Sequence, residues 1–167
     1  MSVDSKYYYR LNTTYKGDIM EFSIFNDGVY KNIVHLTPKT NSSLQYWSIQ
    51  PTVQSGFYRI STTFRRAEMC LNVYSRGKYN TMLYLVPKAN YSGQFWKIEE
   101  PTQNTGNFLI STIFRGVNTE IDILDDAKFQ NVPILIKKGN YCGQYWGLEK
   151  TNKRIMTESL FMRVTSV

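Results

Sequence analysis

All three tryptophans of this chain stand in one phrase, Gln-aromatic-Trp: Gln45-Tyr46-Trp47, Gln94-Phe95-Trp96 and Gln144-Tyr145-Trp146. The glutamines are 49 and 50 residues apart. An amide beside two rings can bond backbone while the indole packs in a core, so the phrase first predicts structure, three copies of one unit. Other side chains that could do chemistry are few. His35 is the only histidine, and it aligns with Tyr84 and Ile134, so no repeated role falls to it. Cys70 aligns with Glu21 and Glu120, and Cys142 with Ser43 and Ser92; neither thiol has an obvious base partner to make it a nucleophile. One histidine and two isolated cysteines do not supply the usual metal ligand set, and no Gly-rich phosphate loop is present. These residues predict a binder rather than an enzyme, with no metal and no cofactor.

The repeat extends well beyond the glutamines. Ahead of them stand Thr40-Asn41-Ser42-Ser43-Leu44, Ala89-Asn90-Tyr91-Ser92-Gly93 and Gly139-Asn140-Tyr141-Cys142-Gly143. Further upstream come the triplets Phe22-Ser23-Ile24, Leu71-Asn72-Val73 and Ile121-Asp122-Ile123, each centred 22 residues before its glutamine. Similar stretches open each unit: Tyr9–Tyr15, Tyr58–Phe64 and Phe108–Phe114. The units therefore run over about residues 7–52, 56–102 and 106–150. Within a unit the apolar residues alternate, as half-buried strands require: Tyr58, Ile60, Thr62 and Phe64 share one face, with Arg59, Ser61 and Thr63 on the other. Asn26-Asp27-Gly28, Ser75-Arg76-Gly77 and Asp125-Asp126 supply turns between the runs. No segment sustains a 3.6-residue period, so the chain reads as all-β.

A four-stranded unit cannot cover its own apolar face, so three such units must share a core. Three blades are too few for a propeller. The prediction is a β-trefoil: residues 1–167 as one domain of three repeats, about four strands each, with the tryptophans gathered near a pseudo-threefold axis. Residues 151–167 fall outside the repeat. Phe161-Met162-Arg163-Val164-Thr165-Ser166 resembles Phe57–Thr62, the opening strand of a unit. Three places for that tail are open: packed on its own domain, covering the seam near the N-terminus, or paired with a second chain in a homodimer.

At 167 residues with 42% hydrophobic and 15% aromatic residues, the chain can bury a core, which excludes disorder as its main description. No apolar run approaches the ~20 residues of a membrane span. The first ten residues lack the basic-then-apolar profile of a signal peptide, so the protein is expected in the cytoplasm or released without a classical signal. Two cysteines cannot make a disulfide framework. The net charge is +7, with Arg59, Arg65, Arg66, Arg76 and Lys78 clustered in the second unit. Because the tyrosines recur at strand period, a solvated basic face is expected there rather than a nucleic-acid site.

The threefold Gln-x-Trp repeat, the Leu-Asp-Val-like triplet and the Asn-Tyr-Ser-Gly-Gln-aromatic-Trp phrase resemble the ricin-B-type (R-type) β-trefoil lectins over about residues 7–150. The resemblance implies a non-catalytic, carbohydrate-binding protein with a shallow sugar pocket in each unit. It implies a carboxylate after the first apolar residue of the triplet, an aromatic ring stacked on the sugar's apolar face, and an Asn and the motif Gln as supports. Carried over, the third unit has Asp122, Asn140 and Gln144, with Phe129 and Tyr141 as platforms. The second has Asn72 in place of the carboxylate, with Tyr79, Asn90, Tyr91 and Gln94. The first has only Ser23, with Tyr30, Asn41 and Gln45. The expected ranking is third, second, first. The family's usual stacking position holds Pro38, Pro87 and Lys137, so the platform must come from elsewhere. Galactose-type glycans are the default partner.

Each candidate also has a structural reading. The glutamines suit backbone bonding, the recurring asparagines suit backbone-bonding turns, and Asp122 suits a solvated acid beside Asp125 and Asp126. The alternative function is a trefoil protease inhibitor or protein-interaction module without sugar binding.

Overall fold

Alternating apolar, β-branched and aromatic residues favour strands over helices. The computed structural model, which describes residues 3–101, 106–116, 118–124 and 130–156, shows twelve of them among those residues. The first unit supplies β1 (Tyr7–Thr13), β2 (Gly17–Ile24), β3 (Val34–Pro38) and β4 (Trp47–Pro51). The second supplies β5 (Tyr58–Thr62), β6 (Met69–Val73), β7 (Leu83–Pro87) and β8 (Trp96–Glu99). The third supplies β9 (Asn107–Thr112), β10 (Thr119–Leu124), β11 (Val132–Lys137) and β12 (Trp146–Arg154). The order β12-β9-β8-β5-β4-β1 closes into a six-stranded barrel through antiparallel pairing of β1 with β12. In each unit the two middle strands form a hairpin, β2–β3, β6–β7 or β10–β11. This architecture is a β-trefoil.

The register repeats with the sequence. Trp47 lies opposite Thr62, Trp96 opposite Thr112 and Trp146 opposite Thr13, so each unit's last strand is matched to the next unit's first strand. All three indoles are fully buried. Their Nε1 atoms donate to the carbonyls of Phe22, Leu71 and Ile121 at 3.0, 3.0 and 2.9 Å, tying each barrel strand to its own hairpin. A buried indole with its N–H satisfied contributes its whole apolar area to the core. Phe22 sits edge-on to both Trp47 and Trp146, with ring centroids 5.7 and 4.6 Å apart.

The hairpins are locked in a ring. Leu85 donates to the carbonyl of Asn32, Leu135 to that of Thr81, and Leu36 to that of Asn131, at 2.9, 2.9 and 2.8 Å. Asn32, Thr81 and Asn131 are held at φ of 71°, 73° and 59°, the left-handed conformation that turns each carbonyl toward its neighbour. β12 continues to Arg154, which pairs with Tyr7, so residues 151–154 belong to the barrel rather than to a separate tail. The strand-like segment Phe161–Ser166 lies outside the described residues. Among the described residues no helix is long and apolar enough to cross a membrane.

Candidate ligand-binding site

The centre of each triplet lies opposite one residue of the returning hairpin strand: Ser23 opposite His35, Asn72 opposite Tyr84, Asp122 opposite Ile134. A short 3-10 turn before each motif glutamine packs over this pair. There the second and third units carry Gly93 and Gly143, and the first carries Leu44. A Cβ on Gly93 would overlap the Oδ1 of Asn72, and one on Gly143 would overlap the Oδ1 of Asp122. The longer polar side chain and the glycine therefore come as a pair. In the first unit Ser23 is short, and Leu44 packs on the core in the space that remains.

In the second unit this arrangement opens a cleft of about 550 Å³. Asn72 lines it from a buried position, with Tyr84, Tyr91, Ser75, Ser92 and Phe114 around it. Tyr84 is held flat by stacking on Tyr74, centroids 3.7 Å apart at 16°. Burial pushes the Tyr84 hydroxyl's pKa up, against a hydrogen bond with Asn72 and with Tyr91 adding to the rise. Tyr91 is 60% exposed, a ring presented to solvent at the cleft mouth. Phe114 comes from the opening turn of the third unit, which docks through a bond from the Thr112 hydroxyl to the Ser92 carbonyl at 3.0 Å. The Arg115 guanidinium lies 4.7 Å over the Phe114 ring. The same cation-on-ring pairing recurs as Lys16 over Tyr15 and Arg65 over Phe64, each at 4.5 Å.

The third unit keeps the carboxylate. Asp122 is buried, and its Oδ1 accepts from the Ile123 amide at 2.7 Å. Burial pushes its pKa up, and the backbone bond offsets that only in part. Asp122 is therefore not the solvated acid of its structural reading. Tyr141, in the loop before the third motif glutamine, is 58% exposed. The opening turn of the first unit docks on this rim, the Thr14 hydroxyl donating to the Cys142 carbonyl at 2.8 Å. Phe129, Asp125 and Asp126 lie outside the described residues.

Several expected contacts sit elsewhere. Gln94 and Gln144 are wholly buried, and both ends of each amide are taken by backbone. Gln94 accepts from the Ala89 amide at 2.9 Å and donates to the Pro87 carbonyl at 2.9 Å. Gln144 does the same with Gly139 and Lys137 at 2.9 and 3.0 Å. They clamp the loop and leave nothing for a sugar hydroxyl. Asn140 is exposed but accepts from the Tyr145 hydroxyl at 3.0 Å, and Asn41 accepts likewise from Tyr46. The recurring asparagine thus bonds a ring hydroxyl rather than a turn backbone; Asn90 makes no such bond because Phe95 has no hydroxyl. Tyr79 turns away from Asn72 toward the axis, edge-on to Tyr30 at 6.2 Å, in a separate pocket with Phe25 and Met82. Tyr84 and Phe114 were missed. The signal for Tyr84 was its place opposite the triplet; Phe114 needed the neighbouring unit to be docked. Among the described residues no group of three or more His, Cys, Asp or Glu is placed to hold a metal ion.

No family model matches the chain, and no curated protein matches it either. Solved structures do match. A mosquitocidal holotoxin aligns at TM-score 0.74 and 17% identity over 91% of this chain. The chain spans only 18% of that toxin's length. The Macrolepiota procera ricin B-like lectin, in complex with lactose, aligns at TM-score 0.69 and 16% identity, over 90% of this chain and 100% of the lectin. The Polyporus squamosus lectin bound to the human-type influenza-binding epitope Neu5Acα2-6Galβ1-4GlcNAc aligns at 0.68 and 15%, over 89% of this chain and 50% of that one. At such identities the likeness speaks for the fold: this chain is a β-trefoil, similar in structure to ricin B-like lectins.

Proposed function

We propose that this protein is a glycan-binding β-trefoil, a non-catalytic lectin with a sugar site in the cleft of the second unit. The observation that carries the reading is the cleft itself. A buried amide, Asn72, meets an exposed ring, Tyr91, with Tyr84 and Phe114 as further walls. A sugar presents hydroxyls on its edge and C–H bonds on its face. Asn72 offers both a donor and an acceptor to the edge, and a tyrosine ring matches the face. The third unit is a charged version of the same site, with Asp122 as acceptor and Tyr141 at the mouth. Galactose-terminated glycans are the first to try, since the two fold neighbours above carry lactose and a sialylated galactose epitope.

A shallow site of this kind binds in the roughly millimolar to micromolar range, so avidity needs more than one site or more than one chain. The test is a glycan array with the wild type, Tyr91→Ala and Asp122→Ala. Selective binding that falls with Tyr91→Ala supports the reading; a folded wild type silent across the array overturns it. One observation favours a protein-binding trefoil as the second reading. Val29 and Tyr30, 85% and 41% exposed, leave an apolar surface at the first hairpin's tip. On that reading the array stays silent.

A further inference from the structure

Away from the sugar cleft, three positions recur beneath the barrel wall, and the second unit departs from the other two. In the first unit Arg10 Nη1 pairs with the buried carboxylate of Glu21, whose other oxygen is 3.6 Å from Lys39 Nζ. Arg10 Nη2 donates to the Tyr46 hydroxyl at 2.9 Å and the Thr40 carbonyl at 2.6 Å. In the third unit the arginine is replaced by Leu109, and the buried Glu120 keeps Lys138 at 3.1 Å. Each of these carboxylates has its cation.

The second unit keeps both cations and loses the acid. Arg59 and Lys88 hold the places of Arg10 and Lys39, but Cys70 stands for the glutamate and Phe95 for the tyrosine. Arg59 is not part of a solvated basic face. Its Nη1 is turned inward to the Ala89 carbonyl at 2.6 Å and Gln94 Oε1 at 2.8 Å, and its guanidinium lies over Phe95 at 4.9 Å. Of Arg10's partners, the carboxylate is replaced by the Cys70 thiol, which hydrogen-bonds Arg59, and the Tyr46 hydroxyl has no counterpart. Neither Arg59 nor Lys88 has an ion pair among the described residues. Both line a cavity of about 250 Å³, with Cys70 and Ser61 in its wall. Burial pushes the Cys70 thiol up, more than Arg59 and Lys88 draw it down, so at neutral pH it adds no negative charge.

We propose that this cavity binds a small oxyanion, the sulfate, phosphate or carboxylate group of a ligand, between Arg59 and Lys88. The anion takes the place that Glu21 and Glu120 fill in the other units. A guanidinium presents paired donors suited to a planar or tetrahedral oxyanion, and an ammonium adds a second charge. The Ser61 hydroxyl supplies a neutral donor in the same wall. The site shares no lining residue with the sugar cleft, so it stands or falls independently of sugar binding.

The experiment measures melting temperature and calorimetric binding against sodium sulfate and phosphate, with chloride at matched ionic strength as control. The wild type is compared with Cys70→Glu, which installs the residue of the other units, and Arg59→Leu, which copies the third. The wild type should show a saturable rise of about 2–4 °C with sulfate or phosphate beyond chloride. Cys70→Glu should melt higher without anion and lose the response; Arg59→Leu should lose the response. A second arm compares sulfated or sialylated glycans with their neutral parents. Tighter binding of the charged forms by the wild type, absent in Cys70→Glu, assigns the anion to a glycan; equal binding, with the sulfate response intact, assigns it to a free anion. A wild type that responds to sulfate and phosphate no more than to chloride overturns the proposal. So does a folded Cys70→Glu or Arg59→Leu that responds as the wild type does.

Discussion

Asn72 and Asp122 occupy one place in two units. Each is the centre of a triplet, each is buried, and each rests on a glycine that has no room for a Cβ. The amide can be buried at modest cost once it is bonded, and it has Tyr84 as partner. The carboxylate cannot. Its burial raises its pKa, and the Ile123 amide bond to Oδ1 offsets that only in part. The units also differ in what lies opposite, an aromatic wall in one and the aliphatic Ile134 in the other. The second unit thus has a finished cleft with a neutral floor. The third has the stronger acceptor, a buried carboxylate whose pKa burial raises. The carboxylate points to the third unit, whereas the cleft seen among the described residues surrounds the amide of the second.

The largest change breaks both sites in the way the first unit already does. Gly93→Leu or Gly143→Leu, copying Leu44, forces the polar side chain aside and fills the cleft. Overpacking of this kind costs about 1–3 kcal/mol, and binding at the altered unit should vanish; urea denaturation and glycan titration check the two effects. A smaller change exchanges the walls. Tyr84→Ile gives the second unit the third unit's residue and should weaken glycan binding up to about tenfold, the worth of one aromatic contact. Ile134→Tyr should strengthen the third site in the same titration.

The smallest effect is Asp122→Asn, which makes the third floor neutral. Because folding raises the Asp122 pKa, the protonated form favours the fold. The penalty is absent below the unfolded-state value and grows as pH rises through the folded-state value. The variant should therefore be more stable than the wild type at pH 7, with the gain vanishing below about pH 3, under the usual aspartate range. Thermal melts across that range read it. His35 gives a similar test in the first unit, where it stacks on Phe25 at 3.8 Å. Burial lowers its pKa, so the neutral ring favours the fold. Stability lent by His35 is present above the unfolded-state value and lost as pH falls below it toward the folded value; His35→Tyr, the second unit's residue, should flatten that loss.

Much of the trefoil was legible because strand register repeats with the sequence. The spacing of the three tryptophans translates directly into three indoles bonded to three hairpins. Triplet centres and glycine positions were legible for the same reason. The walls of the cleft were not. Tyr84 reaches the site only through cross-strand pairing, and Phe114 only through docking of the next unit, so neither follows from spacing within one unit. Tyr79 sits at the repeat position of Tyr30 and joins it at the axis, which a period alone does not separate from a place at the site. Gln94 and Gln144 are amides close in sequence to the pocket, and only their backbone partners show that they face inward. Arg59 reads as a surface charge until its inward bonds are seen.

The most direct test of the second-unit site is calorimetric titration of the best array glycan into the wild type, Tyr91→Ala, Tyr84→Ile and Asp122→Ala, each checked for folding. The account predicts weakening of about tenfold in either tyrosine variant. For Asp122→Ala it predicts loss of a weaker second phase at most. Full loss in Asp122→Ala with both tyrosine variants unchanged would contradict it and move the working site to the third unit.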